Sequence, residues 1–361
     1  MTKNIAVLAG DGIGPEVMTE ALKVLDTIGE IAGVSFKYEH CLVGAAAIDA
    51  TGDPFPAETE KACLEADAIL FGAIGHPKYD NDPSAKVRPE QGLLAMRKKL
   101  GLFANIRPVN TYEALAEASP LKSHLVKGVD FIVFRELTGG IYFGQPRGRS
   151  ENGEMAFDSC TYTAEEITRV ARLAFDEARK RNNRLTLVDK ANVLATSRLW
   201  REVVQAMADK EYKDVEVDYL FVDNAAMKII TNPASFDVVL TENMFGDILT
   251  DEASVITGSL GMLPSASVGQ DKALYEPIHG SYPQATGKGI ANPMGMILSA
   301  ASMLELSFDM RAEAATIRAA VNEALNEGIV TEDINSSNPS TTSQVGDYIV
   351  AKVKATATAN G

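Results

Sequence analysis

Short apolar runs alternate with helix-period segments along most of this chain, and that alternation constrains its fold more than any other feature. IAVL (5–8), VSFKYEH (34–40), DAILFGAIG (67–75), LFANIRPV (102–109), VDFIVFREL (129–137), RLTLVDK (184–190), VEVDYLFVDN (215–224) and FDVVLTEN (236–243) have the composition of strands. Between them, helical patterning occupies 15–30, 56–65, 90–100, 164–180 and 197–209, and a further helix starts near Met244. Strands separated by helices predict an α/β chain whose sheets are covered by helices and largely parallel at their centre. Segment 264–293 is rich in Gly, Pro and Ser and reads as loop, followed by helices at 294–306 and 309–327 with Gly328 as their stop. The closing KATATANG reads as a frayed tail. At 361 residues the chain is long enough for two domains.

The first strand runs into "AGDGIGPEV", which resembles a dinucleotide loop but fails its spacing. A Gly-x-Gly-x-x-Gly loop cradles a pyrophosphate with backbone N–H groups. Here the third glycine position is Pro15, which has no N–H, and Glu16 follows it. The expected structure is strand, tight turn and a helix with Pro15 and Glu16 in its first turn. A dinucleotide site, if present, belongs elsewhere. Its candidates are the polar glycine loops 258–261 and 279–292.

A net charge of −15 argues against nucleic acid or an anionic membrane surface as partner. No apolar run has the length of a membrane helix, and the N-terminus enters a strand without a signal-peptide pattern. Cys41, Cys63 and Cys160 are far apart and show no metal-ligand spacing, which suits a reducing cytoplasm. Segment 137–162 interrupts the strand–helix rhythm: β-prone TGGIYFG and MAFDSCTYT flank a charged, Gly- and Pro-containing turn. A hairpin of that kind is marginal alone and predicts packing on another chain.

Several residues carry possible chemistry. Asp247 and Asp251 stand one helical turn apart, so their carboxylates share a face, which is either a solvated acidic surface or a place where a divalent cation would relieve their repulsion. Asp223 and Lys190 are expected at strand ends, where α/β proteins place ligand groups. Lys190 is either a surface cap or, if desolvated beside a metal, a base. Arg97, Arg107 and Arg135, near element ends, form a possible carboxylate clamp. Leu93 shares the helix face of Arg97 and, with Leu94, offers either core or an apolar pocket. Tyr142 is a packing residue or a proton donor.

Eight collinear stretches then resemble the isocitrate/isopropylmalate family of β-decarboxylating dehydrogenases: GDGIGPEV, RPEQGLLAMRKKL, NIRPV, RELTGGIYFG, VDKANVL, VDNAAM, TENMFGDILTDEAS, and EPIHGS with GKGIANP. The resemblance covers the chain to about residue 350. It implies a two-domain, non-Rossmann isopropylmalate dehydrogenase-like fold with a discontinuous first domain, 1–102 and 258–361, that binds NAD. A second domain, 103–257, would carry a hairpin arm at a dimer interface.

The implied activity is NAD-dependent oxidative decarboxylation of 3-isopropylmalate in leucine biosynthesis. Active sites would be shared between the chains of a homodimer. Arg97, Arg107 and Arg135 would hold the malate carboxylates. Asp247, Asp251 and the partner's Asp223 would hold Mg²⁺ or Mn²⁺. Lys190 of the partner would assist removal of the hydroxyl proton, and Tyr142 would help protonate the enol carbon. Asn192 would lie near the nicotinamide and the substrate. Leu93, Leu94 and Val193 would form the pocket for an isopropyl group. Gly75, Glu90, Ser259, Leu260, Gly261, His279, Gly280, Ser281, Gln284 and Asn292 would contact the cofactor.

NAD-specific relatives commonly carry His-Gly-Ser-Ala-Pro followed by an aspartate that grips the ribose hydroxyls. This chain reads His279-Gly-Ser-Tyr-Pro-Gln284, so NAD is expected with weaker exclusion of NADP. A relative acting on isocitrate, homoisocitrate or tartrate is the same-fold alternative, which the leucines oppose. A non-catalytic regulatory subunit is the alternative of another class. It should lack one of Tyr142, Lys190, Asp223, Asp247 and Asp251, all of which are present.

Overall fold

The computed structural model describes residues 2–81 and 85–360. Two compact units make up the chain: Met1–Leu102 with Gly258–Gly361, and Phe103–Thr257. The first unit begins with β1 (Thr2–Gly10), α1 (Gly14–Ala32), β2 (Ser35–His40), α2 (Gly44–Thr51), α3 (Ala57–Glu65), β3 (Ala68–Ala73), the short α4 (Pro77–Asp80) and α5 (Pro89–Lys99). The second unit contains β4 (Ala104–Asn110), α6 (Ser123–Val126), β5 (Asp130–Glu136), β6 (Arg147–Arg149), β7 (Ala156–Asp158), α7 (Ala164–Lys180), β8 (Arg184–Asp189), α8 (Ala195–Lys210), β9 (Glu216–Phe221), α9 (Val222–Thr231), β10 (Val238–Thr241) and α10 (Asn243–Val255). The chain then returns to the first unit with β11 (Pro264–Val268), β12 (Ala273–Pro277), α11 (Met294–Phe308), α12 (Arg311–Asn326) and α13 (Thr342–Asn360).

In the first unit the strand order is β2-β1-β3-β12-β11. β1 runs parallel to β2 and β3, β12 runs parallel to β3, and only β11 is antiparallel to its neighbour. Burial follows this order. Every residue of the central β3, AILFGA, is buried, while β2 at the edge is mostly exposed. A continuous apolar run is what a strand covered on both faces requires. The order reverses between β1 and β3, and their carboxyl ends carry the Asp11 turn and Gly75, the position where open α/β sheets bind ligands.

The second unit has the order β4-β5-β10-β8-β9, with β4 antiparallel to β5 and the remaining pairs parallel. Its core gathers Phe131, Val133, Val188, Val239, Leu249 and Phe236, with Phe131 and Phe236 in ring contact at 5.6 Å. α7 starts where its sequence dictates. Thr163 Oγ1 accepts the Glu166 N–H (3.2 Å) and Glu166 Oε2 accepts the Thr163 N–H (2.8 Å), which satisfies two donors the helix leaves unpaired.

The structure corrects several sequence expectations. TGGIYFG is not a strand: Gly140 has φ +71° and residues Gly140–Tyr142 form a 3₁₀ turn, so the hairpin is confined to β6 and β7. The span 264–293 is not all loop. β11 and β12 lie in it, and the small buried residues Ser265, Ala266 and Ser267 lack the bulk by which strands are recognised. Asp223 is not at a strand end. β9 stops at Phe221 and Asp223 sits in the first turn of α9, where its charge complements the helix dipole. α2, α9 and α13 were not legible. α13 carries the backbone helically to Asn360, across the tail expected to fray, and Gly361 lies outside the described residues.

Candidate active site

The glycine turn after β1 is not a phosphate cradle. The N–H of Asp11 donates to Ala73 O (2.9 Å), that of Ile13 to Ser281 O (2.8 Å) and that of Gly14 to Asp11 O (2.9 Å), so these donors are consumed within the protein. Gly12 allows the close approach: a Cβ there would lie 2.0 Å from Ser281 O. The buried Asp11 carboxylate accepts the N–H groups of Ala45 (2.9 Å) and Ala46 (3.0 Å) in the first turn of α2, and that of Gly75 (3.0 Å). The Glu16 carboxylate accepts N–H groups from Gly287 and Gly289. The turn thus organises the surrounding loops with carboxylates and offers none of these amides to an anion.

A cavity of about 690 Å³ opens beside this turn. Ser259, Leu260, Gly261, His279, Gly280 and Asn292 line it, all expected as cofactor contacts. Gly75, Glu90 and Ser281 are mutual neighbours outside the lining, since a Cβ on Gly75 would sit 3.2 Å from Glu90 Oε1 and 3.5 Å from Ser281 Oγ. Gln284 is exposed on the 3₁₀ turn Pro283–Ala285 and does not line the cavity.

Tyr282 and Ile290 line it from the expected loop 279–292 without having been singled out, and sequence reasoning missed Ile13, Glu332 and Asp333, which also line it. Asp333 is the organiser: Oδ2 accepts from Ser259 Oγ (2.5 Å) and Asn292 Nδ2 (3.1 Å), and Oδ1 from Thr331 Oγ1. Its only sequence signal is an acidic pair in a polar loop, a pattern found on ordinary surfaces. His279 Nδ1 lies 3.0 Å from Gly280 O, and its buried Nε2 has no partner among the described residues. Burial pushes the His279 pKa down, leaving a neutral ring at pH 7. An apolar cavity with an orphaned ring nitrogen and polar side chains at its wall fits a dinucleotide.

The second unit assembles charge at the end of β5 and on α10. Arg135 is buried, and Asn243 Oδ1 accepts both its Nε (3.1 Å) and Nη2 (2.8 Å), while Nη1 pairs with Asp247. The Tyr142 hydroxyl donates to Asp247 Oδ2 (2.8 Å), and Arg135 lies 5.9 Å from the Tyr142 ring centre. Burial, then the Asp247 carboxylate, push the Tyr142 phenol above its ordinary value. Arg107 donates to Asn105 Oδ1 (2.8 Å), Thr250 Oγ1 (2.6 Å) and Asp251 Oδ1 (2.9 Å). Thr250 Oγ1 also lies 3.3 Å from Asp247 O, so Arg107 and Asp251 join Arg135, Tyr142 and Asp247 in one bonded neighbourhood on α10.

Lys190 and Asp223 form a separate ion pair at 2.6 Å, and that hydrogen bond holds the Asp223 carboxyl below its ordinary range. Asn192 and Val193 are exposed on the turn after β8, Val193 at 63%. Among the described residues no three His, Cys, Asp or Glu side chains gather as a metal-holding group. Asp247 and Asp251 supply carboxylate oxygens from one face of α10, with half or more of the Asp251 side chain in solvent. Two carboxylates on one helix face are a donor set that suits a hard divalent cation.

On α5, Arg97 Nη2 lies 3.4 Å from Glu276 Oε1. The leucines beside it diverge. Leu93 packs partly against the core of the first unit, whereas Leu94 is 44% exposed.

The sequence profile of the isocitrate/isopropylmalate dehydrogenases matches residues 4–349. The chain belongs to this family. It is 54% identical over 356 residues to a 3-isopropylmalate dehydrogenase of Bacteroides fragilis, covering 98% of this chain and 99% of that one. It is 57% identical over 334 residues to a 3-isopropylmalate dehydrogenase of Aquifex aeolicus, covering 92% and 91%. Among solved structures, an isocitrate dehydrogenase from Methylococcus capsulatus superimposes with a TM-score of 0.86 at 33% identity, covering 98% and 99%. The family is one of oxidoreductases, and the fold is theirs: mixed sheets without a Rossmann loop.

Proposed function

We propose that this protein oxidises and decarboxylates 3-isopropylmalate to 4-methyl-2-oxopentanoate and CO₂ with NAD⁺, in leucine biosynthesis. The observation that carries the reading is the bonded neighbourhood of Arg107, Arg135, Tyr142, Asp247 and Asp251, in a chain more than half identical to curated 3-isopropylmalate dehydrogenases. Leu94, exposed on α5, supports the choice of substrate. A third carboxylate placed against it would lose solvation with no partner.

Arg107 and Arg135 bind carboxylates of the malate core, Arg135 pre-oriented by Asn243. Arg97 is assigned a carboxylate contact and Leu93, Leu94 and Val193 the apolar group. Asp247 and Asp251, with the partner's Asp223, hold Mg²⁺ or Mn²⁺. When bound, that cation polarises the substrate oxygen and lowers the cost of negative charge there during loss of CO₂. The partner's Lys190 would assist removal of the hydroxyl proton, and NAD⁺, when bound, would accept the hydride. Tyr142, whose hydroxyl is held toward Asp247, returns a proton to the enol carbon. Ser259, Leu260, Gly261, His279, Gly280 and Asn292 hold the cofactor, with Gly75, Glu90, Ser281 and Gln284 assigned as further contacts and Asn192 assigned to the substrate beside the nicotinamide.

A homodimer with shared sites is supported by exposed apolar residues on α9 and α10, Met227, Ile230, Ile248 and Val255, and by Met155 and Phe157 of the hairpin segment. A hairpin whose strand residues are all exposed has too little support alone. Among the described residues no helix is long and apolar enough to cross a membrane. The three free cysteines support a cytoplasmic location.

The test is NADH formation with Mg²⁺ and 3-isopropylmalate beside isocitrate, tartrate and malate, each with NAD⁺ and NADP⁺. Preference for isopropylmalate that disappears with chelator is expected. Preference for isocitrate would overturn the role given to the leucines. Absence of turnover by a folded dimer would favour the regulatory subunit.

A further inference from the structure

Tyr282 is an aromatic residue in a backbone conformation that aromatic residues avoid. Its φ is +40° and ψ +64°, in the left-handed region, where a bulky side chain crowds the main chain. The segment offers glycine nearby: Gly280 directly precedes Ser281, and Gly287 and Gly289 take positive φ a few residues on. A glycine at 282 would relieve the crowding, yet a tyrosine is there. It contributes little to the core, since 50% of its surface is in solvent. Burial therefore does not explain why the strained conformation holds a large ring.

Its surroundings supply a reason. Tyr282 lines the 690 Å³ cavity, whose apolar wall includes Ile13, Leu260, Ile290 and Ala291. The conformation is held from both sides. Ser281 O accepts the Ile13 N–H (2.8 Å), and Tyr282 O accepts the Ala285 N–H (3.0 Å) across the turn begun by Pro283. A phenol ring fixed at the rim of an apolar slot presents a flat π-face with few rotamers to lose on binding. Residues kept in such sparsely populated regions concentrate at ligand clamps, because surrounding structure must enforce them.

We propose that Tyr282 is a cofactor-affinity residue whose ring stacks on the adenine of the dinucleotide. The proposal rests on the NAD-dependent reading above. Of the two flat rings in NAD⁺, the purine is neutral and bicyclic, and it matches an apolar wall. The oxidised nicotinamide carries a positive charge, which that wall would desolvate.

The experiment measures binding of AMP, nicotinamide mononucleotide and NAD⁺ by calorimetry to the full-length wild type and to Tyr282→Phe, Tyr282→Leu and Tyr282→Gly, with thermal midpoints for each. Stacking of a base on an aromatic ring predicts a loss of AMP and NAD⁺ affinity in Tyr282→Gly on the order of tenfold to a hundredfold. Tyr282→Phe should keep wild-type affinity, because the ring face is retained, and Tyr282→Leu should fall between. Tyr282→Gly should melt no lower than wild type, because relief of the positive φ offsets the lost side-chain contacts.

Weakened AMP binding at an unchanged or raised midpoint supports the proposal, because a structural role would lower both together. Equal AMP affinity in wild type and Tyr282→Gly overturns it. So does a loss confined to nicotinamide mononucleotide, or a loss in Tyr282→Phe equal to that in Tyr282→Gly. A folded wild type that binds neither AMP nor NAD⁺ would instead remove the NAD-dependent reading on which the proposal stands.

Discussion

Gly246→Ala is the sharpest probe of how the second unit holds Arg135, the arginine proposed to bind a substrate carboxylate. Gly246 lies in α10, one residue before Asp247, and a Cβ built on it would sit 2.6 Å from Arg135 Cγ and 2.8 Å from Arg135 Cβ. Comfortable carbon–carbon contact is about 3.5–4.0 Å, so the arginine stem or the helix must retreat by roughly 1 Å. Arg135 has little freedom to do so, since Asn243 and Asp247 anchor its guanidinium and the residue is 3% exposed.

Two effects oppose each other in stability. Alanine is favoured over glycine within a helix by about 1 kcal/mol, and overpacking a filled site costs about 1–3 kcal/mol. The net change is a destabilisation of about 0–2 kcal/mol, which leaves a folded protein. The effect on catalysis is larger, because displacing a positioned group by about 1 Å can cost on the order of a hundredfold. The assay is steady-state NADH formation with isopropylmalate at saturating NAD⁺, alongside calorimetric NAD⁺ binding and the thermal midpoint. The expected pattern is a raised KM for isopropylmalate, a lowered kcat/KM, and NAD⁺ affinity unchanged, since the cavity belongs to the other unit. A folded Gly246→Ala enzyme with wild-type KM and kcat would refute the reasoning that Arg135, as held here, binds the substrate.

Two further outcomes separate packing from chemistry. Because Leu94 is exposed and Leu93 packs on the core, Leu94→Ala should lower kcat/KM for isopropylmalate about tenfold relative to malate, while Leu93→Ala should chiefly lower the thermal midpoint. The same loss of selectivity from both variants would show that the two leucines act alike. On α1, Glu20 is 4% exposed, pairs with Lys23 at 2.6 Å, and would lie 1.9 Å from a Cβ on Gly346 of α13. Burial raises its pKa above the ordinary 4.5, so its contribution to stability is fully present below 4.5 and is lost as pH rises through the folded value. Urea unfolding midpoints of Glu20→Gln should therefore gain on wild type between pH 4.5 and pH 8. A difference independent of pH would mean that folding leaves the Glu20 pKa unchanged.

Certain features were determined locally and could be read without coordinates. Thr163 and Glu166 announce the start of α7 because a capping box closes within four residues. The unbroken apolar run of β3 announces a covered strand. Pro15 in place of a glycine rules out a phosphate loop, and the structure shows the amides of that turn spent on Ala73, Ser281 and Asp11. Family membership was legible because eight motifs occur in order, each with its own chemistry.

Tertiary structure alone decided the rest, because the deciding contacts join residues far apart in sequence. β11 escaped notice because its small buried side chains suit the close packing of α11 and resemble a loop. Nothing around Leu93 and Leu94 says which of two adjacent leucines the core takes; that depends on how α5 lies on its sheet. Asp333 became the organiser of the cavity only when the chain folded back 74 residues to Ser259 and 41 to Asn292. Tyr282 differs again. Its identity was plain in the sequence, but its positive φ sits between Ser281, whose carbonyl accepts from Ile13 in the turn after β1, and the turn closed by Ala285, and no local preference of tyrosine could have foretold it.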